Sequence, residues 1–369
     1  MHREKNPMTS GNQVIIIGGG VIGLACAHYL LDRNARVTLL EQGRVGGGSS
    51  HGNCGLLYFS DVIPLCSPGT VRNEMIRALK GTSPLYIKPE LNTRRLFWLL
   101  KFAFKCNHSH RNRAARAKSD LLSYSMSLFD DLLARDDLNC DFENLGILSV
   151  FKDPANFKAH EATACFLEQY GVGPRKIGKE ELSEIEPALR DDVAGAWLNQ
   201  WDWHLRPDLL MDSWKKDLIS KGLAIEEHTP VTDFDTRGRR ITGIHTPKGP
   251  FSGDHVILTA GAWSPLVARK MGLNIPVEPG KGYSMTMERP EICPARPCML
   301  AEKNMVVTPF KSGYRLGGTM EFSGYDTALN RKRLARLVAG AGEYMKAPLG
   351  RPLIEEWTSL RPMTFDDMP

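Results

Sequence analysis

A six-residue glycine turn near the start of the chain constrains the fold more than any other feature. The turn Gly18–Gly23 (GGGVIG) directly follows the apolar run Val14–Ile17. A helix-like stretch, Leu24–Leu31, comes next, and then a second apolar strand, Val37–Leu40, which ends in Glu41. A G-x-G-x-x-G turn that joins a strand to a helix is typical of dinucleotide-binding α/β domains. The sequence therefore predicts such a domain at the start of the chain.

The residues of this turn have separate predicted roles. Gly18 permits the tight turn, Gly20 lets the backbone approach a pyrophosphate, and Gly23 lets the helix lie close to the sheet. The helix N-terminus faces the phosphate charge. Glu41 lies 18 residues beyond Gly23, near the spacing of about 20 expected for a carboxylate that binds a ribose hydroxyl.

Two further segments favour a flavin over a nicotinamide. The glycine-rich run Gly46–Leu57 can wrap the pyrophosphate and the ring of a long cofactor, although a flexible surface loop has a similar composition. Far downstream, the strand His255–Thr259 leads into the turn Ala260–Ser264. That strand would return the chain to the sheet that carries the cofactor.

Together these segments resemble the FAD-dependent D-amino-acid oxidase superfamily, and within it the bacterial D-amino-acid dehydrogenases of the small-subunit type. The resemblance covers nearly the whole chain. Its landmarks, in order, are GGGVIG at 18–23, SSHGNCGLL at 49–57, SPLYIKPEL at 83–91, LSEIEPAL at 182–189, HLRPDLL at 204–210, TAGAWS at 259–264, PGKGYS at 279–284, YRLGGTMEF at 314–322 and SLRPMTFDDMP at 359–369.

The resemblance implies an α/β fold made of two interleaved parts. One is a Rossmann-like FAD-binding domain of the glutathione-reductase type, assigned to residues 1–75, 190–272 and 340–369. The other is an α+β substrate domain on an antiparallel sheet, with a helical insertion, assigned to residues 76–189 and 273–339. The length of 369 residues agrees with two domains.

The local patterns add individual elements to this division. Antiparallel strands are predicted for the substrate domain. The predicted elements are a strand at 145–150, helices at 156–170 and 207–221, and antiparallel strands at 282–286, 305–309 and 314–318.

The resemblance also implies non-covalently bound FAD and a set of residues that contact it. Val231 would provide backbone contacts to the adenosine half. The expected cofactor-binding residues are Gly18, Gly20, Val21, Ile22, Gly23, Glu41, Gln42, Ser49, Ser50, Asn53, Cys54, Gly55, Leu56, Val231, Ala260, Gly261 and Trp263.

For the substrate, the resemblance implies that a hydride moves from the α carbon of an amino acid to flavin N5, so no acid or base is singled out as catalytic. The protein must still bind the substrate carboxylate, and a planar arginine suits this. In glycine oxidase and its relatives the arginine of a G-L-R-P segment contacts that carboxylate. Arg361 is its counterpart here, with Ser359 in place of the glycine. Tyr283 and Tyr314 are further candidates for substrate contact.

Three functions remain open at this point. The first is oxidative deamination of D-amino acids to 2-oxo acids and ammonia, with electrons passed to a quinone or another non-oxygen acceptor. The second is an oxidase of glycine, sarcosine or proline-like amines that produces hydrogen peroxide. The third is a truncated, non-catalytic flavoprotein. Relatives continue beyond the region of Pro369 with another strand and a glycine-rich turn, so we expect the 369-residue form to bind FAD weakly.

Composition and charge narrow the class of protein. No apolar run reaches the roughly 18 residues of a membrane span, and the polar start of the chain lacks a signal-peptide core. The eight cysteines form no C-x-x-C pair, which is typical of reduced thiols in a cytoplasmic protein. Neither a metal site nor a nucleic-acid-binding motif is found.

One segment has an unusual charge. Residues 91–118 contain eight basic residues and no acidic one, and they include the apolar helix-like stretch 96–105. Leu96, Leu99, Leu100 and Ala103 give one predicted core-facing stripe. Two interpretations stay open: a core helix beside a solvated basic segment, or a helix on the anionic, cytoplasmic side of the inner membrane.

Overall fold

The computed structural model of the protein describes residues 11–79, 85–135 and 138–369. Ser83 and Pro84, the first residues of the SPLYIKPEL landmark, lie outside this part. The chain forms two compact units, and each is built from two stretches of sequence. The first unit contains residues up to 51 and residues 208–277, and the second contains residues 52–207 and 278–369.

The first unit is built on a four-stranded parallel sheet, as the glycine turn predicts. Its strand order is β13-β1-β2-β9. A three-stranded antiparallel sheet, β10-β11-β12, accompanies it. The strands of this unit are β1 (Gln13–Ile17), β2 (Arg36–Leu40), β9 (Ala224–Glu226), β10 (Asp233–Arg237), β11 (Arg240–Thr246), β12 (Gly249–Phe251) and β13 (His255–Leu258). Its helices are α1 (Val21–Leu31), α8 (Pro207–Ser220) and α9 (Ser264–Arg269).

The second unit is built on a large mixed sheet. Its strand order is β18-β14-β17-β16-β15-β5-β7-β6, and β4 pairs with β17. These strands are β4 (Leu85–Ile87), β5 (Ile147–Phe151), β6 (Arg175–Ile177), β7 (Gly195–Asn199), β14 (Val277–Met287), β15 (Cys298–Leu300), β16 (Met305–Phe310), β17 (Gly313–Phe322) and β18 (Leu353–Thr364). Two short strands, β3 (Leu56–Leu57) and β8 (Trp203–His204), form a separate pair.

Helices pack on this sheet and extend from it. They are α2 (Thr70–Leu79), α3 (Thr93–Lys105), α4 (His108–Arg135), α5 (Pro154–Ala159), α6 (Glu161–Glu168), α7 (Lys179–Ile185) and α10 (Arg331–Tyr344). The main core of the unit lies between one face of the sheet and α10, where Leu334, Leu337 and Ala341 meet apolar residues of β14, β16 and β17. Within the described residues, no helix combines the length and the apolar character needed to cross a membrane.

The α/β fold class predicted from the sequence is confirmed, including the parallel sheet of the first unit and the antiparallel strands β14, β16 and β17. The predicted helix at 156–170 is instead two short helices, α5 and α6, which meet at His160. The predicted assignment of segments to cofactor and substrate stays a prediction. Its boundaries differ from those of the compact units, since residues 52–75, 190–207 and 340–369 lie in the second unit.

The predicted core-facing stripe of α3 is wrong. Leu96 and Leu100 are 57% and 47% exposed, and Ala103 is exposed as well. The buried face contains Arg95 and Trp98, which are 3% and 7% exposed. Helical periodicity places apolar residues on both faces of α3, and partners distant in sequence decide which face is covered.

Candidate active site

The glycine turn of the first unit has the geometry that its sequence predicts. Gly18 has a φ of +114°, and a Cβ there would lie 2.6 Å from the carbonyl oxygen of Thr259. A Cβ at Gly23 would lie 2.0 Å from the carbonyl oxygen of Gly18. Glycine is therefore required at the first position for the backbone conformation and at the second for the close approach of α1 to the turn. The predicted return of the chain is also present, because Thr259 Oγ1 donates to the carbonyl of Gly18 at 2.8 Å.

The carboxylate of Glu41 forms hydrogen bonds with the glycine turn and with the residues that follow β2. Its oxygens accept hydrogen bonds from the backbone N–H of Gly19 at 2.7 Å and of Gly43 at 2.8 Å. A carboxylate has about four acceptor positions, so these two bonds leave capacity for a hydroxyl donor. The arrangement suits the predicted ribose contact.

The start of α1 is bound by a residue of the second glycine-rich segment. Val21 donates its N–H to Ser50 Oγ at 3.0 Å, and a Cβ at Gly20 would lie 3.2 Å from the same oxygen. Because no bulky side chain stands at Gly18 or Gly20, backbone donors at this helix end can meet a phosphate group. The turn thus fits the pyrophosphate of a dinucleotide such as FAD.

The other predicted cofactor residues of this unit vary in exposure. Gln42 is exposed, and Ile22 at the start of α1 is 61% exposed. The other predicted residues are half-buried. Ser49 comes after β2, Val231 comes after β9, and Ala260, Gly261 and Trp263 come after β13. Their contacts with a cofactor remain predictions.

The second unit contains the remaining predicted cofactor residues on the short segment 52–55. All four carbonyls of this segment accept hydrogen bonds from elsewhere in the unit. The donors are Ser284 Oγ to Gly52 at 2.6 Å, Arg315 Nη1 to Asn53 at 2.8 Å, Thr308 Oγ1 to Cys54 at 2.8 Å and the N–H of Leu205 to Gly55 at 2.9 Å. Leu56, in β3, follows directly and pairs with His204.

Arg361 lies on β18, and its guanidinium is placed against β14. A Cβ at Gly282 would lie 2.6 Å from Arg361 Nη2, so a larger residue there would displace this guanidinium. Arg361 Nη1 donates to the carbonyl of Thr319 at 3.1 Å. Burial lowers the pKa of Arg361, but guanidinium groups in proteins keep their charge. Across the described parts of the chain, no carboxylate forms an ion pair with Arg361.

A β-bulge creates this seat for Arg361. The pairing of β14 with β17 shifts between Lys281 and Tyr283, so that Thr319 and Met320 together oppose Gly282. Thr319 has a φ of +64°, a left-handed conformation that is a real outlier for a β-branched residue. Its buried hydroxyl has no hydrogen-bond partner within the described residues. Bulges and strained residues of this kind cluster at functional sites.

Residues of the segment 52–55 are also packed very closely against Gly317 and Trp357. A Cβ at Gly317 would lie 2.4 Å from Cys54 Sγ, and one at Gly52 would lie 2.3 Å from the indole ring of Trp357. Burial raises the pKa of the Cys54 thiol, while Arg361 and Arg315 act in the opposite direction. The Cys54 side chain therefore lies near two arginines.

The structure does not bring Tyr283 and Tyr314 together with Arg361. Both are fully buried members of the core that faces α10. The Tyr283 hydroxyl donates to Glu321 Oε2 at 3.1 Å. Since neighbouring residues of a strand point to opposite faces of a sheet, the face with Gly282 and Arg315 is the other one. A substrate contact of Tyr283 or Tyr314 stays a prediction, and these tyrosines face the core beside α10.

The sequence interpretation overlooked Gly282 and Thr319. A signal for the first was available, because glycine inside a strand indicates a bulge or a close approach, and Gly280 and Gly282 both lie in β14. No pattern in the sequence marks Thr319, whose conformation arises from pairing with a strand some 37 residues away.

Comparison with known proteins finds relatives and solved structures that are similar to nearly the whole chain. The D-amino acid dehydrogenase of Neisseria meningitidis is 28% identical over 97% of this chain and 87% of the relative. That of Helicobacter pylori is 26% identical over 97% and 86%. Among solved structures, glycine oxidase from Geobacillus kaustophilus is 21% identical with a TM-score of 0.72, covering 98% of this chain and 85% of the other. L-Proline dehydrogenase from P. horikoshii is 19% identical with a TM-score of 0.64, covering 96% and 82%.

The chain also matches the model of a protein family over nearly its whole length. Residues 13–369 match the DAO family of FAD-dependent oxidoreductases. The match includes the glycine turn, the segment 52–55 and Arg361. The chain belongs to the DAO family and is an FAD-dependent oxidoreductase.

Proposed function

We propose that the protein oxidises D-amino acids to 2-oxo acids and ammonia and passes the electrons to a quinone or another non-oxygen acceptor. The observation that carries this proposal is the half-buried Arg361, whose charge is not matched by a carboxylate of the described residues. A carboxylate on the substrate would complete that pair. The curated relatives named D-amino acid dehydrogenase support the choice of substrate.

Different residues of this chain would bind the cofactor and the substrate. Within the first unit, the glycine turn and Glu41 would hold FAD, which supplies the acceptor for the hydride lost by the substrate's α carbon. The Arg361 guanidinium would bind the substrate carboxylate through parallel N–H donors and so fix one end of the amino acid. The Thr319 carbonyl would orient the guanidinium by accepting one of its N–H groups.

A substrate panel tests the reaction. Purified protein is mixed anaerobically with D- and L-amino acids, glycine, sarcosine and proline, and the flavin absorption is followed. We expect bleaching by D-amino acids and not by their L-enantiomers. Bleaching by glycine or sarcosine alone would favour the amine oxidase alternative and overturn the proposed substrate.

The electron acceptor needs a separate test. After anaerobic reduction, the protein is exposed either to oxygen or to a soluble quinone, and reoxidation and hydrogen peroxide are measured. We expect rapid reoxidation by the quinone and little peroxide. Rapid peroxide formation with oxygen would contradict the acceptor while leaving the substrate class intact.

A substitution tests the role of Arg361. Arg361→Ala should raise the substrate concentration that half-reduces the flavin, and FAD content should stay unchanged. Loss of one partner of a buried charge pair costs roughly 2–5 kcal/mol, which corresponds to at least about thirtyfold. Arg361→Lys should recover only part of this, because a point charge cannot replace the planar fork.

Arg331→Ala is the matched control for this substitution. Arg331 belongs to the same unit, but its side chain is 84% exposed and pairs with Glu356 at 3.5 Å. Its removal should leave flavin reduction as in the parent. If Arg361→Ala is reduced by the same amino acid as readily as the parent, Arg361 does not bind the carboxylate.

A further inference from the structure

Among the described residues, helix α3 has an apolar face that is largely exposed. This α3 apolar face consists of Leu96, Phe97, Leu100, Ala103 and Phe104, whose larger members are 57%, 65%, 47% and 81% exposed in the order Leu96, Phe97, Leu100, Phe104. At 100° per residue these five positions span an arc of about 120°. Such an arc is as wide as the buried stripe of an ordinary amphipathic helix.

The opposite face of α3 is firmly attached to the second unit, so the orientation of the helix is well defined. Arg95 forms ion pairs with Glu90 and Glu278, each at 2.9 Å. Trp98 Nε1 donates to the carbonyl of Met363 at 3.2 Å, and the indole stacks on Phe102 with ring centres 5.6 Å apart. A rotation that buried the apolar face would break all of these contacts.

Basic side chains lie along one edge of the apolar face. Arg94 and Lys101 are exposed and Lys105 is half-buried, and helical geometry places all three within about 60° of arc next to Phe97. Two of the eight basic residues in the segment 91–118 add less positive charge to the surface than the sequence suggests. Arg95 is neutralised as described, and Lys118 is buried in ion pairs with Asp61 at 3.2 Å and Asp367 at 2.9 Å.

The exposed apolar residues and the basic edge of α3 together indicate what kind of partner this face would bind. Apolar and aromatic side chains beside lysine and arginine are typical of helices that lie in the plane of an anionic bilayer. A second copy of the chain is a poor partner, because two such faces would bring their basic edges together, and residues 91–118 contain no acidic side chain to balance them. We propose that the α3 apolar face docks the protein on an anionic lipid surface.

Vesicle co-sedimentation with the full chain tests this surface. Vesicles of phosphatidylcholine alone are compared with vesicles that also contain phosphatidylglycerol, at low salt and at 0.5 M salt. We expect binding to the anionic vesicles at low salt, because salt screens the basic edge. Equal binding to both kinds of vesicle, or to neither, would overturn the proposal.

Two pairs of variants test whether vesicle binding depends on α3. Arg94→Gln with Lys101→Gln should weaken binding about thirtyfold, since each basic residue near an anionic surface contributes about a factor of five. Arg237→Gln with Arg239→Gln, at the exposed end of β10 and the turn that follows it, should bind as the parent does. Equal effects of the two pairs would show that net charge alone is responsible.

The apolar contribution is tested in the same way. Phe97→Ser with Phe104→Ser should weaken binding at least about tenfold. Leu273→Ser, whose side chain has the same 57% exposure as Leu96 but lies in the other unit, should have no effect. If Phe97→Ser with Phe104→Ser instead converts a dimer to a monomer in the absence of vesicles, the face is a contact between copies. Sedimentation needs no turnover, so its result is independent of the proposed reaction.

Discussion

At the scale of single residues, the position of Arg361 depends on the glycine that faces it. Gly282→Ala would place a Cβ 2.6 Å from Arg361 Nη2 and 2.8 Å from its Cζ, so the guanidinium would have to move. A displacement of about 1 Å in a binding group can cost up to about a hundredfold. We expect the substrate concentration for half-reduction of the flavin to rise about tenfold or more, with FAD content unchanged.

Gly280→Ala is the matched control on the same strand. A Cβ at Gly280 would lie 2.8 Å from Met320 Sδ and 2.8 Å from Met363 Cγ, and the guanidinium is not among its three nearest neighbours. Flexible methionine side chains can rearrange around it. If both alanine variants raise the required substrate concentration equally, the effect belongs to packing of β14 and not to Arg361.

A second prediction at this scale concerns Glu41. Glu41→Gln would replace one carboxylate oxygen with an NH₂ group that faces the N–H of Gly19 or Gly43. Hydrogen bonds to a charged group contribute about 1.5–3 kcal/mol, so FAD affinity should fall by at least about tenfold in a flavin titration. Glu226→Gln should retain the parent affinity, because Glu226 is half-exposed and pairs on the surface with Lys248.

The two residues differ in how well the sequence could predict them. Glu41 and the glycine turn lie within a short stretch, so their relation is local and a pattern of spacings describes it. The seat of Arg361 needs three distant segments, namely β14, β17 and β18. A one-residue bulge sets the register between the first two, and no local pattern encodes that shift.

At the scale of elements, α3 offers a direct test of its own orientation. Trp98→Ala should lower the free energy of unfolding by about 3–5 kcal/mol, the usual cost of removing a buried tryptophan. Phe97→Ala, one residue away but 65% exposed, should change it by less than about 0.5 kcal/mol. Urea unfolding of both variants measures the difference. A larger loss for Phe97 would show that the other face of α3 is buried.

The sequence could predict that α3 is an apolar helix but not which face is covered. Its apolar residues surround most of the helix, so periodicity gives no clear preference. The decision comes from Glu278, Phe322 and Met363, which follow α3 by more than 170 residues and fix Arg95 and Trp98. Such long-range partners are visible only in the folded chain.

At the scale of the whole molecule, buried titratable groups give stability two opposing dependences on pH. Burial raises the pKa of Asp202 to about 7, against the opposing effect of hydrogen bonds from Ser60. Its protonated form is therefore favoured by folding, and this contribution is lost as pH rises from about 4 to about 7. Burial lowers the pKa of His204 to about 4, and that contribution is lost as pH falls below about 6.5.

The Asp202 contribution can be isolated by substitution. Asp202→Asn keeps a neutral, hydrogen-bonding side chain beside Ser60, so it should match the parent near pH 4. Near pH 8 the variant should be more stable, by up to about 4 kcal/mol. Urea unfolding at the two pH values measures this, with the exposed Asp233→Asn as control. A difference between Asp202→Asn and the parent that does not change with pH would contradict the raised pKa.

The four hydrogen bonds to the carbonyls of residues 52–55 make the length of this segment more important than the side chain at Asn53. Substitution at Asn53, which is exposed, removes the local hydrogen bond that its Oδ1 accepts from the N–H of Gly55 at 2.9 Å, and keeps the number of residues between the carbonyls. Insertion or deletion of one residue shifts the carbonyls against Ser284, Arg315, Thr308 and Leu205 at the same time. Libraries that vary Asn53 at constant length should therefore yield folded protein far more often than libraries that vary the length of this segment.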